Sequence, residues 1–503
     1  MIENTNRAIA VNSLVLYGRI AITTLCSIFA TRFALQALGN TDYGLYSVLG
    51  GIISFVAIFN TIMLSSTNRF IAIALGKGNV EEVNKQFNVC LAIHIFIAIV
   101  TLLLAIPFGE WYINRFINYE GNIKDAVLIY DISIIGSVIS FVGVPYNGLL
   151  MAKEKFIVFS AVDVIAGVIK LAVSYLLIEV IGNRLLIYAI ALSTLTAVPM
   201  LVYWLYCKFK YYDMVKINIV RERNKYKEIL NFSAWVSVGA ITYVGKNQGA
   251  ALLVNAFFNT VLNTALGLAN SINSYITLFA QNVTQPMAPQ IMKSYAGGQK
   301  ERVDNLLVMS TKFAFLAMYV ISVPFLIVPE AIIRLWLGCV PPYVVMFTVL
   351  LVIDNLIQSL NSGINNVIFA SGKISLYQLS VSILNVFSIV LAYVALDAGY
   401  SAYSLVIAYI VVSILKFFVM QYILHKTLNY NNDLLIRKSY LPSMSVVLIS
   451  LPLLLLRGVL SPFPLLILAM IYVCSIVFYI GLNSKERQYL ISIMGKIIGR
   501  QFK

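Results

Sequence analysis

Residues 73–85 read IALGKGNVEEVNK, and residues 293–305 read KSYAGGQKERVDN. A shift of 220 residues lays one on the other. Gly78 then meets Gly298, Glu81 meets Glu301, Val83 meets Val303, Asn79 meets Gln299 and Asn84 meets Asp304. Each stretch is a polar joint that follows the second apolar run of a series and opens the third. At a shift of 218, GLLMAKEKF from Gly148 meets NVIFASGKI from Asn366, with Ala152 on Ala370 and Lys155 on Lys373. Few residues are identical, and either match alone is weak. Two matches at nearly one offset, at equivalent places in the order of runs, indicate an internal repeat. The offset covers six runs, so both copies enter a bilayer in the same orientation. Two six-helix lobes related by an axis along the membrane normal are expected.

The apolar runs carry the fold class. Of 503 residues 60% are hydrophobic and 11% charged, and the mean hydropathy is +0.87. Soluble domains carry about 25% charged residues. Disorder, a disulfide scaffold and a nucleic-acid-binding domain are excluded. Runs of 18 or more apolar residues between short polar loops predict spanning helices. Fourteen are expected, at 10–34, 45–66, 87–107, 126–150, 157–181, 184–207, 230–255, 261–288, 305–328, 344–371, 374–397, 402–425, 439–456 and 463–482. Pro442, Pro452, Pro462 and Pro464 interrupt the last two. The expectation is an all-α integral membrane protein of about fourteen transmembrane helices, with two pseudo-symmetric six-helix lobes plus two C-terminal helices. Residues 1–207 form the first lobe, 208–229 a basic connector and 230–425 the second lobe. Residues 426–503 supply two further helices and a basic tail. MIENTNRAIAVNSLVLYGR at the start lacks a small-residue cleavage site and leads into a retained helix.

Charge placement sets the expected orientation. The chain has 36 Lys+Arg against 21 Asp+Glu, a net charge of +15. With the N-terminus cytoplasmic, 25 of the basic residues fall in inner loops and tails and five in outer loops. That bias predicts both termini inside and an even number of spans. The longest inner loop, KFKYYDMVKINIVRERNKYKEI from Lys208, holds seven basic residues among aromatics. It is expected to lie on an anionic leaflet rather than to form a regulatory or partner site.

Cys26, Cys90, Cys207, Cys339 and Cys474 form no CxxC pair, and the only histidines are His94 and His425. Disulfides, metal clusters and histidine-based metal sites are therefore not expected. No GxxxxGK[ST], HExxH or GxSxG motif occurs. Transport would draw on a proton or sodium gradient, the membrane potential or the substrate gradient, with no cofactor.

Ionisable residues within spans are costly and mark protein interiors or wet cavities. The basic ones are Arg19, Arg32, Lys170, Lys246, Lys312 and Lys416. Arg32, Lys312 and Lys416 are close enough to span ends to snorkel, whereas Lys170 and Lys246 are near mid-depth. Arg19 on the first span and Lys246 on the seventh open the two lobes and would converge on a central cavity. Spans one, seven and eight hold no acidic residue, so the two cations call for an anionic substrate or for Asp163 and Asp354 from other helices. These two readings have equal weight.

Polar stripes mark candidate cavity faces. Asn263, Asn270, Ser274, Thr277, Gln281 and Gln285 recur at helical spacing on the eighth span, and Asp354, Gln358, Asn361 and Asn365 do so on the tenth. Asn12, Arg19, Thr23 and Ser27 share a face of the first. Carboxamides both donate and accept hydrogen bonds, which suits sugar hydroxyls, although such residues also join helices. Candidate ion-coupling groups are Asp354 and Asp163, ahead of Asp131 and His94. The substrate-binding set is thus Arg19, Lys246, Arg32, Lys170, Asn270, Gln281, Gln358 and Asn361.

The chain resembles the polysaccharide-unit flippases of the multidrug/oligosaccharidyl-lipid/polysaccharide (MOP) exporter superfamily. The resemblance is carried by ALGNTDYGLYSVLGG at 37–51, GVPYNGLLMAKEKF at 143–156, FSAWVSVGAITYVGKNQGAALLVNAFFNTVLNTALGLAN at 232–270 and PQIMKSYAGGQ at 289–299. It spans essentially the first twelve helices. It implies transfer of undecaprenyl-diphosphate-linked oligosaccharide from the inner to the outer leaflet of a bacterial plasma membrane, for O-antigen or another surface polysaccharide. Two lobes would alternate access around a cationic cavity, with Arg19 and Lys246 receiving the diphosphate. It also implies a monomer among membrane lipids, working beside a polysaccharide polymerase and glycosyltransferases, and no nucleic-acid partner. The alternative within the superfamily is an ion-coupled drug or small-solute exporter, for which a cationic cavity would repel cationic drugs. A polymerase or ligase would need a larger outer loop than residues 108–125.

Overall fold

The computed structural model describes residues 2–116, 122–258, 260–337, 340–428, 430, 432–488 and 491. Among them there is no β-strand, only an isolated bridge between Arg457 and Leu460. The chain is a multi-pass, all-helical membrane protein. Among the described residues ten helices are long and apolar enough to cross a bilayer, or eleven when one bent pair is a single span. The count expected from sequence was fourteen, and the difference has local causes. Expected span two lies in the second arm of a kinked helix, and the side chains of 51–59 there fall outside the described set. Expected spans seven and eight are helices, but their polar stripes lower the hydropathy.

The contacts divide the chain into two compact units, residues 10–237 and residues 1–9 with 238–503. The first contains α1 (Ile2–Gly76, apart from its first turns), α2 (Val80–Phe116), α3 (Ile123–Ala152), α4 (Phe156–Leu176), α5 (Arg184–Lys210), α6 (Tyr212–Val215) and the start of α7 (Arg223–Phe257). Helix α1 is two helices joined at Gly39, where φ is 73° and ψ 179°, a conformation glycine adopts without a Cβ clash. The core forms where Ile113, Ile129, Tyr130 and Ile134 pack together, and Tyr130 donates to the Ala105 carbonyl at 2.8 Å. Helices α3 and α5 meet at Gly136 and Gly143. A Cβ at these positions would stand 2.8 Å from the Ser193 carbonyl oxygen and from the Met200 Cβ, respectively. Small residues seven apart let two apolar helices approach closely in a membrane, where dispersion and packing must replace the hydrophobic drive.

The basic connector belongs to this unit and is fastened to α2. Asn84 and Asn88 both donate to the Lys216 carbonyl, at 2.8 and 2.9 Å. Asn218 returns its backbone N–H to Asn88 Oδ1 at 3.0 Å and its amide to Asn84 Oδ1 at 2.9 Å. Lys225 Nζ reaches both oxygens of Glu82 at 2.6 and 2.7 Å.

The second unit continues from α7 through α8 (Thr260–Thr284), α9 (Met287–Ala296), α10 (Lys300–Ile327), α11 (Pro329–Leu337), α12 (Val344–Ser359), α13 (Ser362–Ser371), α14 (Ser375–Asp397) and α15 (Ser404–Leu428). A short α16 (Asp433–Leu435) runs through a π-turn into α17 (Leu441–Ser450), and α18 (Pro462–Ile476) follows. Helices α12 and α13 bend by 44° at residues 360–361. The hairpin of α17 and α18 packs on α10: Tyr319 hydrogen-bonds Ser450, and Arg457 Nε donates to the Ile327 carbonyl at 2.7 Å.

Three backbone bonds recur in the two copies of the first joint. Lys77 donates to Ile73 (3.2 Å), Gly78 to Leu75 (3.1 Å) and Val83 to Asn79 (3.1 Å). In the second unit Gly297 donates to Lys293 (2.9 Å), Gly298 to Tyr295 (3.1 Å) and Val303 to Gln299 (3.1 Å). Gly78 and Gly298 hold φ of 73° and 67°, the left-handed end that closes a helix and that glycine reaches at least cost.

Candidate functional site

A cavity of about 730 Å³ opens within the second unit. Helices α7, α8, α12 and α15 build it, with the side chain of Met318 from α10 and Ser362 at the start of α13. Lys246 is the cation on its wall and Asp354 the carboxylate. Both are buried, at 7% and 3% exposure, and Lys246 Nζ stands 3.9 Å from Asp354 Oδ2. The ammonium also lies 3.8 Å from the ring centroid of Tyr409, whose hydroxyl donates to the Lys246 carbonyl at 3.1 Å. Desolvation makes such a cation–π contact stronger than at a surface. Asp354 is held from both sides, since Oδ1 accepts from Ser413 at 2.5 Å and Oδ2 from Gln358 at 2.7 Å.

The rest of the wall is rich in carboxamides: Asn247, Gln248, Asn270, Asn273, Gln281, Asn355 and Gln358. The α8 stripe supplies two of them, Asn270 and Gln281, because residues three, four and seven apart share a helix face, and α8 adds Asn273 beside it. Asn355 crosses from α12 to donate to Asn273 Oδ1 at 2.5 Å and Thr277 Oγ1 at 2.8 Å. Part of the stripe is thus interhelical glue, and part remains open. Asn270 and Gln281 are exposed to the cavity, and Gln358 is half-buried. Asn361 sits at the α12–α13 break, 2% exposed, and does not line the cavity. The side chain of Asn263 lies outside the described residues.

Arg19, Arg32, Lys170 and Asp163 belong to the first unit. Arg19 Nη1 donates to Asp163 Oδ2 at 2.7 Å, and its guanidinium lies 4.6 Å from the ring centroid of Phe159. Of the two sequence readings for the buried cations, pairing is therefore realised in both units, Arg19 with Asp163 and Lys246 with Asp354. Lys170 is half-buried, with no carboxylate within salt-bridge distance among the described residues, and Arg32 is exposed. Lys312, expected to snorkel, is instead 2% exposed and grips both oxygens of Glu486 at 2.7 and 2.6 Å. That carboxylate also accepts from the Asn483 N–H at 2.8 Å, which closes a capping box with Asn483. His94 is a packed core residue whose Nδ1 lies 2.6 Å from the Cys90 carbonyl oxygen.

Sequence reasoning missed Tyr409 and Ser413. They are four apart on α15, one turn of a helix whose outer face is apolar, and that polar pair was the available signal. Among the described residues no group of three His, Cys, Asp or Glu could hold a metal ion.

Residues 18–176 match the MatE family model. No curated protein matches the sequence. Among solved structures, a crystal structure of a MATE mutant aligns with a TM-score of 0.74 at 14% identity, covering 85% of this chain and 97% of that one. An outward-facing multidrug resistance MATE family transporter of the MOP superfamily aligns at 0.70 and 13%, covering 84% and 96%. A MOP superfamily transporter from Pyrococcus furiosus, for which a reversed polarity of the binding pocket suggests a different function, aligns at 0.69 and 14%, covering 85% and 97%. The chain thus has the MATE fold over most of its length.

Proposed function

We propose that this protein is a flippase that carries undecaprenyl-diphosphate-linked oligosaccharide units from the cytoplasmic to the outer leaflet of a bacterial plasma membrane, with both termini cytoplasmic, for surface polysaccharide assembly. The observation that carries the reading is the cavity chemistry: one buried ammonium, Lys246, on a wall of seven carboxamides. Carboxamides complement hydroxyl-rich sugars by donating and accepting at each contact, and an ammonium complements a phosphate oxygen as a point charge. Such a site holds the head group while the isoprenoid tail stays in lipid. Arg19 offers a second cation on the opening helix of the first unit. Asn270, Gln281 and Gln358 contact glycan, and Lys170 and Arg32 attract the diphosphate along the N-terminal helices. The MATE fold supports alternating access, and a polymerase and glycosyltransferases are the natural neighbours of such a monomer.

Coupling follows from the ion pair. A diphosphate that takes Lys246 draws it from Asp354, the carboxylate we propose for ion coupling. Asp163 stands in the same relation to Arg19. A second reading, ion-coupled export of drugs or small solutes, is favoured by Asp354 itself, a carboxylate in the cavity wall.

The deciding experiment is the leaflet distribution of undecaprenyl-diphosphate-linked glycan in cells with and without the protein. Accumulation on the cytoplasmic face after loss supports the flippase reading. An unchanged distribution in a strain without a second flippase, together with altered efflux of small solutes, supports the second.

A further inference from the structure

The connector between α5 and α7 presents one face to protein and leaves the other uncovered. Residues 216–220 form no helix. The Lys216 carbonyl and the Asn218 side chain turn inward to Asn84 and Asn88. In an extended segment alternate side chains project to opposite sides, so Ile217 and Ile219 project away from that anchor. They are 73% and 89% exposed. Phe209 and Tyr212, at the end of α5 and in α6, are 84% and 54% exposed. Four large side chains with apolar faces thus stand uncovered by protein. Interleaved with them are the exposed cations Lys208, Lys210, Lys216, Arg221 and Arg223. Lys208 and Lys210 stack over Trp204 and Tyr206, 4.9 and 5.9 Å from the ring centroids, at the end of a membrane-crossing helix where aromatic residues mark the lipid interface.

We propose that the connector is a docked amphipathic strap that binds the anionic phospholipids of the adjacent leaflet. Phe209, Tyr212, Ile217 and Ile219 enter the acyl boundary, and the five cations hold lipid phosphates. The occupant is lipid because the two halves of the surface match the two halves of an anionic phospholipid, and because the strap continues directly from the spanning helix α5. The Asn84–Asn88–Asn218 network and the Lys225–Glu82 pair fix its height on α2, so the strap docks as a preformed surface and little ordering entropy is lost on binding. This inference does not depend on what the cavity transports.

The test places bimane at Ile219→Cys, in a background with Cys339→Ser and Cys474→Ser, in vesicles of phosphatidylcholine with phosphatidylglycerol. Cys26, Cys90 and Cys207 are buried and do not compete for label. Acyl-brominated lipids are expected to quench the label and aqueous iodide to leave it bright. The same label at Ile217 is expected to behave alike. Native mass spectrometry reads the charge half: each single substitution among Lys208→Gln, Lys210→Gln, Lys216→Gln, Arg221→Gln and Arg223→Gln lowers phosphatidylglycerol retention by about fivefold, with phosphatidylcholine retention unchanged. Quenching by iodide, or by neither agent because protein covers the strap, would overturn the proposal. So would phosphatidylglycerol retention that ignores all five substitutions.

Discussion

Glu154 and Gly372 hold the same turn 218 residues apart. Both have left-handed backbones, with φ of 60° and 76°, and both donate to the carbonyl three residues earlier, Met151 at 2.9 Å and Phe369 at 3.2 Å. One copy has glycine there, and the other carries a side chain in a conformation that disfavours it by about 1–2 kcal/mol. Gly372→Glu is therefore expected to fold with a loss of that size, read as a modest drop in thermal stability in detergent.

Gly363 lies nine residues earlier and is expected to behave differently. A Cβ there would stand 2.2 Å from Thr311 Oγ1 and 2.4 Å from the Leu307 carbonyl oxygen. Backbone cannot step aside as a flexible side chain can, so Gly363→Ala separates α13 from α10. Folded yield after size-exclusion chromatography should fall well below that of Gly372→Glu.

Breaking the Lys246–Asp354 pair from one side leaves a buried charge, which costs about 3–5 kcal/mol. Lys246→Met and Asp354→Asn should each lower the unfolding temperature, and the double variant should regain much of the loss. Transport should stay impaired in the double variant, because stability returns without the cation. A double variant that transports normally would remove Lys246 from the mechanism.

Arg19 contacts Phe159 as well as Asp163. A double-mutant cycle between Arg19→Met and Phe159→Leu should show a coupling of about 0.5–1 kcal/mol in unfolding free energy. No coupling would mean that the guanidinium is held by Asp163 alone.

Lys312→Met and Glu486→Gln should each loosen residues 483–488 from α10. The readout is faster limited proteolysis within that segment, with the rest of the cleavage pattern unchanged. Exposure of Lys485 and Arg487 gives trypsin its sites once the contact is lost.

The all-helical class and a two-copy repeat were legible because apolar run length and glycine placement are local properties, whereas the expected fourteen spans exceed the ten or eleven found among the described residues. The joints at Gly78 and Gly298 could be read for the same reason. The partner of a buried charge could not be ranked, because Arg19 and Asp163 are separated by 144 residues and Lys312 and Glu486 by 174. Tyr409 escaped notice because its ring reads as apolar on a hydrophobic helix. Snorkelling was the wrong expectation for Lys312, since distance from a span end says nothing about which helices cover that side.

The grip of Glu486 on Lys312 also has a timing. When Lys312 is joined to the growing chain, 174 residues must still be added before its counter-ion exists. At about 5–20 residues per second this interval is roughly 9–35 s. Through that time Lys312 has no Glu486 beside it, and an unpaired ammonium in lipid is costly, so α10 is expected to stay near water or translocon. The second unit therefore locks late, in an order set by synthesis: the helices that frame the cavity are made first, and the clasp arrives from the far end of the unit.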